Sequence, residues 1–267
     1  MEHRTMEILG IRVDRIAKSE ALEMVAVFLV SQKQNTVFTP NPEMLVDAQK
    51  DEYFREVLNS GDLNICDGFG LWLATKLSLR GVRHSADDEA IQSSVVRISG
   101  VDFMLNICAL AQEKNKSVYL LGSGDEDVIK NAAEVLKKKF GGLKICGFNG
   151  GIKIEKTDDD KITYDETGNE DILYDIIMQA PDILFVGFGH GKQEKWIYEN
   201  LPQMPSVKVA MGVGGSFDFL AGKAKRAPKF MRVFGLEWLW RLILEPWRVK
   251  RIFKATIVFL YYLIWQK

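Results

Sequence analysis

A regular alternation of short β-branched runs with amphipathic stretches constrains this chain most. Runs 6–14, 35–39, 62–66, 117–122, 143–147, 182–189 and 207–214 have strand character. Helical spacing fills 18–33, 42–59, 68–79, 101–115, 125–140, 171–180, 191–201 and 215–221 between them. Strands separated by whole helices join through βαβ crossovers, which build a largely parallel sheet with helices on both faces. The expected fold is therefore α/β and Rossmann-like. At 267 residues and 47% apolar, one such core needs neither disulfides nor metals.

Cys66, Cys108 and Cys146 each sit in an apolar run without close spacing, the pattern of small core residues in a reducing compartment. The first twenty residues hold no apolar run long enough for a signal peptide, so a cytoplasmic location is expected. Two polar stretches, 85–94 and 153–171, read as solvated loops or a hairpin.

Charge is unevenly spread. Between Lys223 and Lys254 stand ten basic residues against Glu237 and Glu245, while the whole chain carries −1. An acidic body over 1–222 therefore precedes a basic appendage over 223–267. That appendage also holds Trp238, Trp240, Trp247 and Trp265, four of the six tryptophans. Cations interleaved with Trp and Leu suit an anionic membrane surface. The last apolar run, 255–265, has half the length of about twenty residues that a spanning helix needs. Such a run lies on a membrane, closes the domain's own core, or packs against another copy of the chain. Nucleic acid is disfavoured, because phosphate-tracking arms are seldom so rich in Trp, Leu and Ile.

In a parallel sheet, ligands bind beyond the carboxyl ends of the strands. Four segments start there. LLGSGDED (120–127) supplies Gly122 and Gly124, but Asp127 stands where a dinucleotide fingerprint needs glycine. It reads as a phosphate-adjacent turn or a purely structural one. Asp67, opening DGFGLWLATKL (67–77), is either a helix cap or a general base at the sheet edge. Thr39 and Asn41 begin TPNPEMLVDAQKD (39–51), where Asn41-Pro42-Glu43 also suits a helix start. GFGHGKQEKW (187–196) and GVGGSFDFLAGKAKRAP (212–228) let backbone approach a ligand and place Gln193 and Asp218 beside it. Metal is not expected: His3, His84 and His190 are scattered, and Asp158–Asp160 lies in a polar insertion between lysines. Glu237, Arg241, Glu245, Arg248 and Arg251 form one helical stripe interrupted by Pro246, either solvated or aimed at a diphosphate.

TPNPEMLVDAQKD, DGFGLWLATKL, RISGVDF (97–103), PDILFVGFG with KQEKW, and GVGGSFDFLAGKAKRAP followed by GLEWLWRLILEPWRVKR resemble the WecG/TagA/CpsF glycosyltransferases. The resemblance runs in order from about residue 6 to residue 253. It implies inverting, metal-independent transfer of an N-acetylmannosamine-like sugar from a UDP-sugar. The implied acceptor is a polyprenyl-diphosphate-linked sugar, used at the cytoplasmic membrane face in teichoic acid or capsule synthesis. It further implies Asp67 as the base with Thr39 and Asn41 lining its pocket. Arg97, Gly100 and Asp102 would lie near the donor sugar, with Gly122, Gln193, Gly214, Gly215 and Asp218 toward the nucleotide. Arg241, Arg248 and Arg251 would close over the diphosphate. His190-Gly191 stands where the family commonly has a small residue and proline, and Val101 where it has serine. Two rival readings are a nicotinamide-dependent oxidoreductase using the Gly122–Gly124 turn and a non-enzymatic membrane adaptor.

Overall fold

A computed structural model describes residues 5–67, 70, 98–157 and 160–265. Its centre is a six-stranded sheet of β3 (Asn35–Phe38), β4 (Leu63–Asn64), β5 (Ser117–Leu121), β6 (Lys144–Asn149), β9 (Ile183–Val186) and β10 (Val209–Gly212). Their spatial order is β4-β3-β10-β9-β5-β6, and every neighbouring pair is parallel.

The inner strands are buried on both sides, and their two-residue period divides the core. Val118, Leu120, Ile183, Phe185, Val209 and Met211 belong to one apolar cluster; Tyr119, Leu121, Leu184, Val186 and Ala210 belong to the other. Helices α1 (Lys18–Phe28), α4 (Gly100–Glu113) and α5 (Glu126–Lys139) cover the first face. The second is covered by α2 (Pro42–Asp47), α3 (Glu52–Asn59), α6 (Glu166–Gln179) and α7 (Lys192–Asn200). Such double coverage lets central strands be wholly apolar.

Local chemistry corrects three expected boundaries. Residues 6–14 form a hairpin, β1 (Thr5–Ile8) and β2 (Ile11–Asp14), and not one strand. Its turn uses positive φ at Leu9 and Gly10, 52° and 75°, the backbone twist that two-residue hairpins favour. The stretch 42–59 is two helices because Asp51 caps α3, its carboxylate accepting from Phe54 N–H at 2.6 Å. Helix α6 starts at Glu166, five residues early, where Asp165 accepts from Gly168 N–H at 2.9 Å. The insertion before it is a small antiparallel ribbon, β7 (Glu155–Lys156) and β8 (Ile162–Thr163).

Residue 222 is preceded by α8 (Ser216–Leu220); beyond it come α9 (Lys229–Val233) and α10 (Glu237–Leu244). Pro246 stops α10, and the chain restarts through a 3-10 turn into α11 (Val249–Phe253), a π-helical segment (Lys254–Val258) and α12 (Phe259–Trp265). One face of this last stretch closes the core: Phe259 is 1% exposed, and Val258, Tyr262 and Leu263 pack beside it. The opposite face leaves Ile257, Leu260, Tyr261, Ile264 and Trp265 in solvent. Replacing Phe259 by Ala should lower unfolding stability by about 3–5 kcal/mol, the usual loss for a buried ring. A reduced urea midpoint measures it.

Candidate active site

The loops leaving β3, β4, β9 and β10 enclose a cleft of about 700 Å³ at the carboxyl edge of the sheet. A smaller lobe of about 270 Å³ shares Asn41, Asp67, Val101, Arg241, Arg248 and Arg251 with it. Strand ends place the first wall. Ile65 N–H donates to Phe38 C=O and Asp67 N–H to Pro40 C=O, so the β3 and β4 loops run side by side. A Cβ built on Gly100 would lie 3.5 Å from both an Asp67 carboxylate oxygen and the Thr39 hydroxyl. A carboxylate and a hydroxyl thus meet at the first residue of α4. Asn41 combines both readings of its motif: it lines the cleft, and its carbonyl oxygen caps α2 by accepting from Met44 N–H at 3.1 Å.

Gly214 and Gly215 form the opposite floor. Gly214 has φ of 52° with open space above it, a conformation that side-chain-bearing residues rarely take. Gln193 holds this turn, accepting from Gly214 N–H at 2.8 Å while its amide nitrogen donates to Glu194 at 2.7 Å. Gln193 is 4% exposed, and these two bonds shape the glycine turn. Asp218 lines the cleft from α8.

The third wall is cationic. Arg241 lies over the Phe219 ring, 4.7 Å from its centroid. Burial, followed by the neighbouring Arg248 charge, pulls its pKa below the ordinary guanidinium value. Arg248 pairs with Glu245. Arg251 grips Glu43 with two parallel bonds, Nε to Oε1 at 2.9 Å and Nη2 to Oε2 at 2.8 Å. The expected break at Pro246 divides the stripe, and each arginine has a different partner.

Behind Arg251 lies a cluster that sequence reading missed. His190 approaches Asp47 at 2.8 Å and Glu43 at 3.5 Å. The imidazole thus lies between two carboxylates, close to both. Lys254 donates to Asp47 at 2.6 Å, and the His190 ring stacks on Phe54. Burial opposes ionisation of both carboxylates, yet contacts from His190 with Arg251 or Lys254 outweigh it and bring Glu43 and Asp47 to about 2. Burial likewise opposes charge on His190, and Asp47 and Glu43 overcome it to raise its pKa. Glu43, Asp47 and His190 offer ligand atoms within 4.8 Å of one another, but Arg251 and Lys254 already supply cationic partners. The sequence signal was the Glu43–Asp47 spacing of four; nothing local joined it to His190.

Most of the residues singled out earlier come together here: Thr39, Asn41, Asp67, Gly100, Gln193, Gly214, Gly215, Asp218, Arg241, Arg248 and Arg251 all line the cleft. Two do not. Asp102 binds Arg226 at 2.7 Å, tying the start of the basic segment to α4. Gly122 is a packing glycine, since a Cβ there would overlap Ile129 and touch Gly150 C=O. Its loop gives the cleft Ser123 alone, and Asp125 caps α5 and pairs with Lys223. Arg97 and the stretch 85–94 lie outside the described residues, as do Asp158 and Asp159. Phe219, Glu245 and Trp247 also line the cleft and were not foreseen.

A profile of the glycosyl transferase WecG/TagA/CpsF family matches residues 6–267. The chain belongs to this glycosyltransferase family. It is 33% identical over 224 residues to the N-acetylglucosaminyldiphosphoundecaprenol N-acetyl-beta-D-mannosaminyltransferase of Bacillus subtilis (strain 168), covering 84% of this chain and 77% of that protein. It is 30% identical over 258 residues to the Staphylococcus aureus (strain NCTC 8325 / PS 47) protein of the same name, covering 96% and 91%. The chain is thus a transferase, and the oxidoreductase and adaptor readings fall.

The groups facing His190 are Glu43 and Asp47 on α2, Glu194 on α7, Arg251 and Lys254 on the C-terminal stretch, and Lys156 near Gly191. A raised histidine pKa contributes stability that is complete below pH about 6.5, the unfolded value, and is lost as pH rises through the folded one. The stability difference between wild type and His190→Gln should therefore be larger at pH 6 than at pH 9. Urea unfolding at both pH values measures it.

Proposed function

We propose that this enzyme transfers an N-acetylmannosamine-like sugar from a UDP-sugar to a polyprenyl-diphosphate-linked N-acetylglucosamine, with inversion and without a metal. The observation carrying this reading is one cleft with Asp67 beside Thr39 on one wall and Arg241, Arg248 and Arg251 on another. An acceptor hydroxyl set against Asp67 gives its proton to the carboxylate as its oxygen attacks the anomeric carbon. The bond to UDP breaks on the far side, and its electron pair goes to the β-phosphate oxygen. Guanidinium groups suit that developing charge, being bidentate and permanently protonated. A single carboxylate base fits one displacement and hence inversion. Gly214, Gly215 and Asp218 would receive the nucleotide, and Thr39 and Asn41 the sugars.

Membrane docking is part of the same reading. Among the described residues, no helix is long and apolar enough to cross a bilayer. Phe234, Trp247 and Phe253 are nevertheless exposed amid the basic residues of 223–254, and Trp265 beyond them. Exposed aromatics among cations favour anionic headgroups, at the cytoplasmic face where a UDP-sugar is available.

Asp67→Asn should retain the fold and lower turnover by about 10²–10⁴, the range for a lost general base. Ultraviolet circular dichroism and a UDP-release assay check the two halves, and an unchanged rate would remove Asp67 from the role. Turnover should persist in EDTA. Trp247→Ala with Phe253→Ala should weaken sedimentation with phosphatidylglycerol vesicles; undiminished binding would place the membrane contact elsewhere. Point variants are preferred to truncation because Phe259 belongs to the core.

A further inference from the structure

We propose that Glu43 is a positioning residue: it docks the C-terminal basic stretch on α2 and presents the Arg251 guanidinium to the cleft. The proposal rests on the reading above, in which Arg251 meets a diphosphate.

Glu43 lines the smaller lobe together with Arg251. A carboxylate cannot itself receive a diphosphate, which it would repel. Its value lies in what it does to the arginine. Arg251 has five N–H donors in a rigid fork, and Glu43 takes the edge formed by Nε and Nη2. The Nη1 edge carries no hydrogen bond among the described residues, so one edge of the guanidinium is fixed and the other is open. This pair also joins α11 to α2, whereas Arg248 is held by Glu245 within its own segment.

Glu43 is itself held. Its side chain is 13% exposed and faces His190, whose imidazole lies between Glu43 and Asp47. Asp47 makes a parallel docking contact with Lys254, one turn further along, and neither Asp47 nor Lys254 lines the cleft. Two ion pairs thus fasten the same stretch to the same helix, but Glu43 alone carries a cleft arginine. That difference separates positioning from docking.

The test uses the full chain with UDP-N-acetylmannosamine as donor and a short-chain polyprenyl-diphosphate N-acetylglucosamine as acceptor. Glu43→Gln and Arg251→Ala should each lower kcat/KM about tenfold, and the double variant should fall no further than Arg251→Ala alone. Asp47→Asn should speed amide hydrogen exchange in 249–265 as Glu43→Gln does, yet leave kcat/KM within about twofold. Additive losses in the double variant, or equal losses in Asp47→Asn and Glu43→Gln, would overturn the positioning role. A wild-type chain that turns over neither substrate would refute the proposed reaction and the positioning role with it. Exchange in 249–265 would still decide the docking contact, which is refuted if Glu43→Gln leaves it unchanged.

Discussion

Two-sided burial of the parallel sheet is the constraint from which the rest follows. Leu120, Phe185 and Met211 are sealed beneath one helical layer, and Leu121, Val186 and Ala210 beneath the other. No polar ligand can be served on either face, so polar groups collect where the strands end. Every wall of the cleft is either a loop leaving a carboxyl end or the basic stretch that folds back over those loops. Exchanging loop residues changes the chemistry at little cost to the core, which is why one sheet architecture supports many activities.

The second determinant is separation of charge along the chain. An acidic body and a basic C-terminal stretch attract one another, and the attraction is cashed in at specific contacts: Asp102 with Arg226, Asp125 with Lys223, Glu43 with Arg251, and Asp47 with Lys254. Exposed pairs such as Asp125–Lys223 contribute little to stability. The half-buried ones around His190 are screened less. Phe259 supplies the apolar anchor that makes these contacts persistent. The stretch is therefore held by one buried ring and a row of ion pairs, with a wide apolar face left outward.

Much of this organisation was legible in the residues. The inner strands follow from β-branched runs, because burial on both faces leaves a strong apolar signature; the edge strand β6 is only partly buried. Asp67, Thr39 and Asn41 follow from their places just after strands. The failures have equally physical causes. The 6–14 hairpin was hidden because its turn places Leu9, an ordinary strand residue, at positive φ. Gly122, for which a phosphate-adjacent and a purely structural turn were both open, packs closely against Ile129. Gln193 does line the cleft, and what the motif did not show is that its amide also holds Gly214 and Glu194. The Glu43–Asp47–His190 cluster was invisible since its members are joined only by the fold.

The cleft also shows how a carboxylate and several guanidinium groups are held in one space. Asp67 is close enough to raise the pKa of Arg226 and to oppose the lowering of Arg241. Unpaired guanidinium groups in a cleft of this size would repel one another. Their charges are instead tempered locally: Arg248 by Glu245, Arg251 by Glu43, and Arg241 by the Phe219 face. Each remains cationic, yet each is oriented by a neighbour other than Asp67. Separate restraint of opposite charges is what lets them share a space of this size.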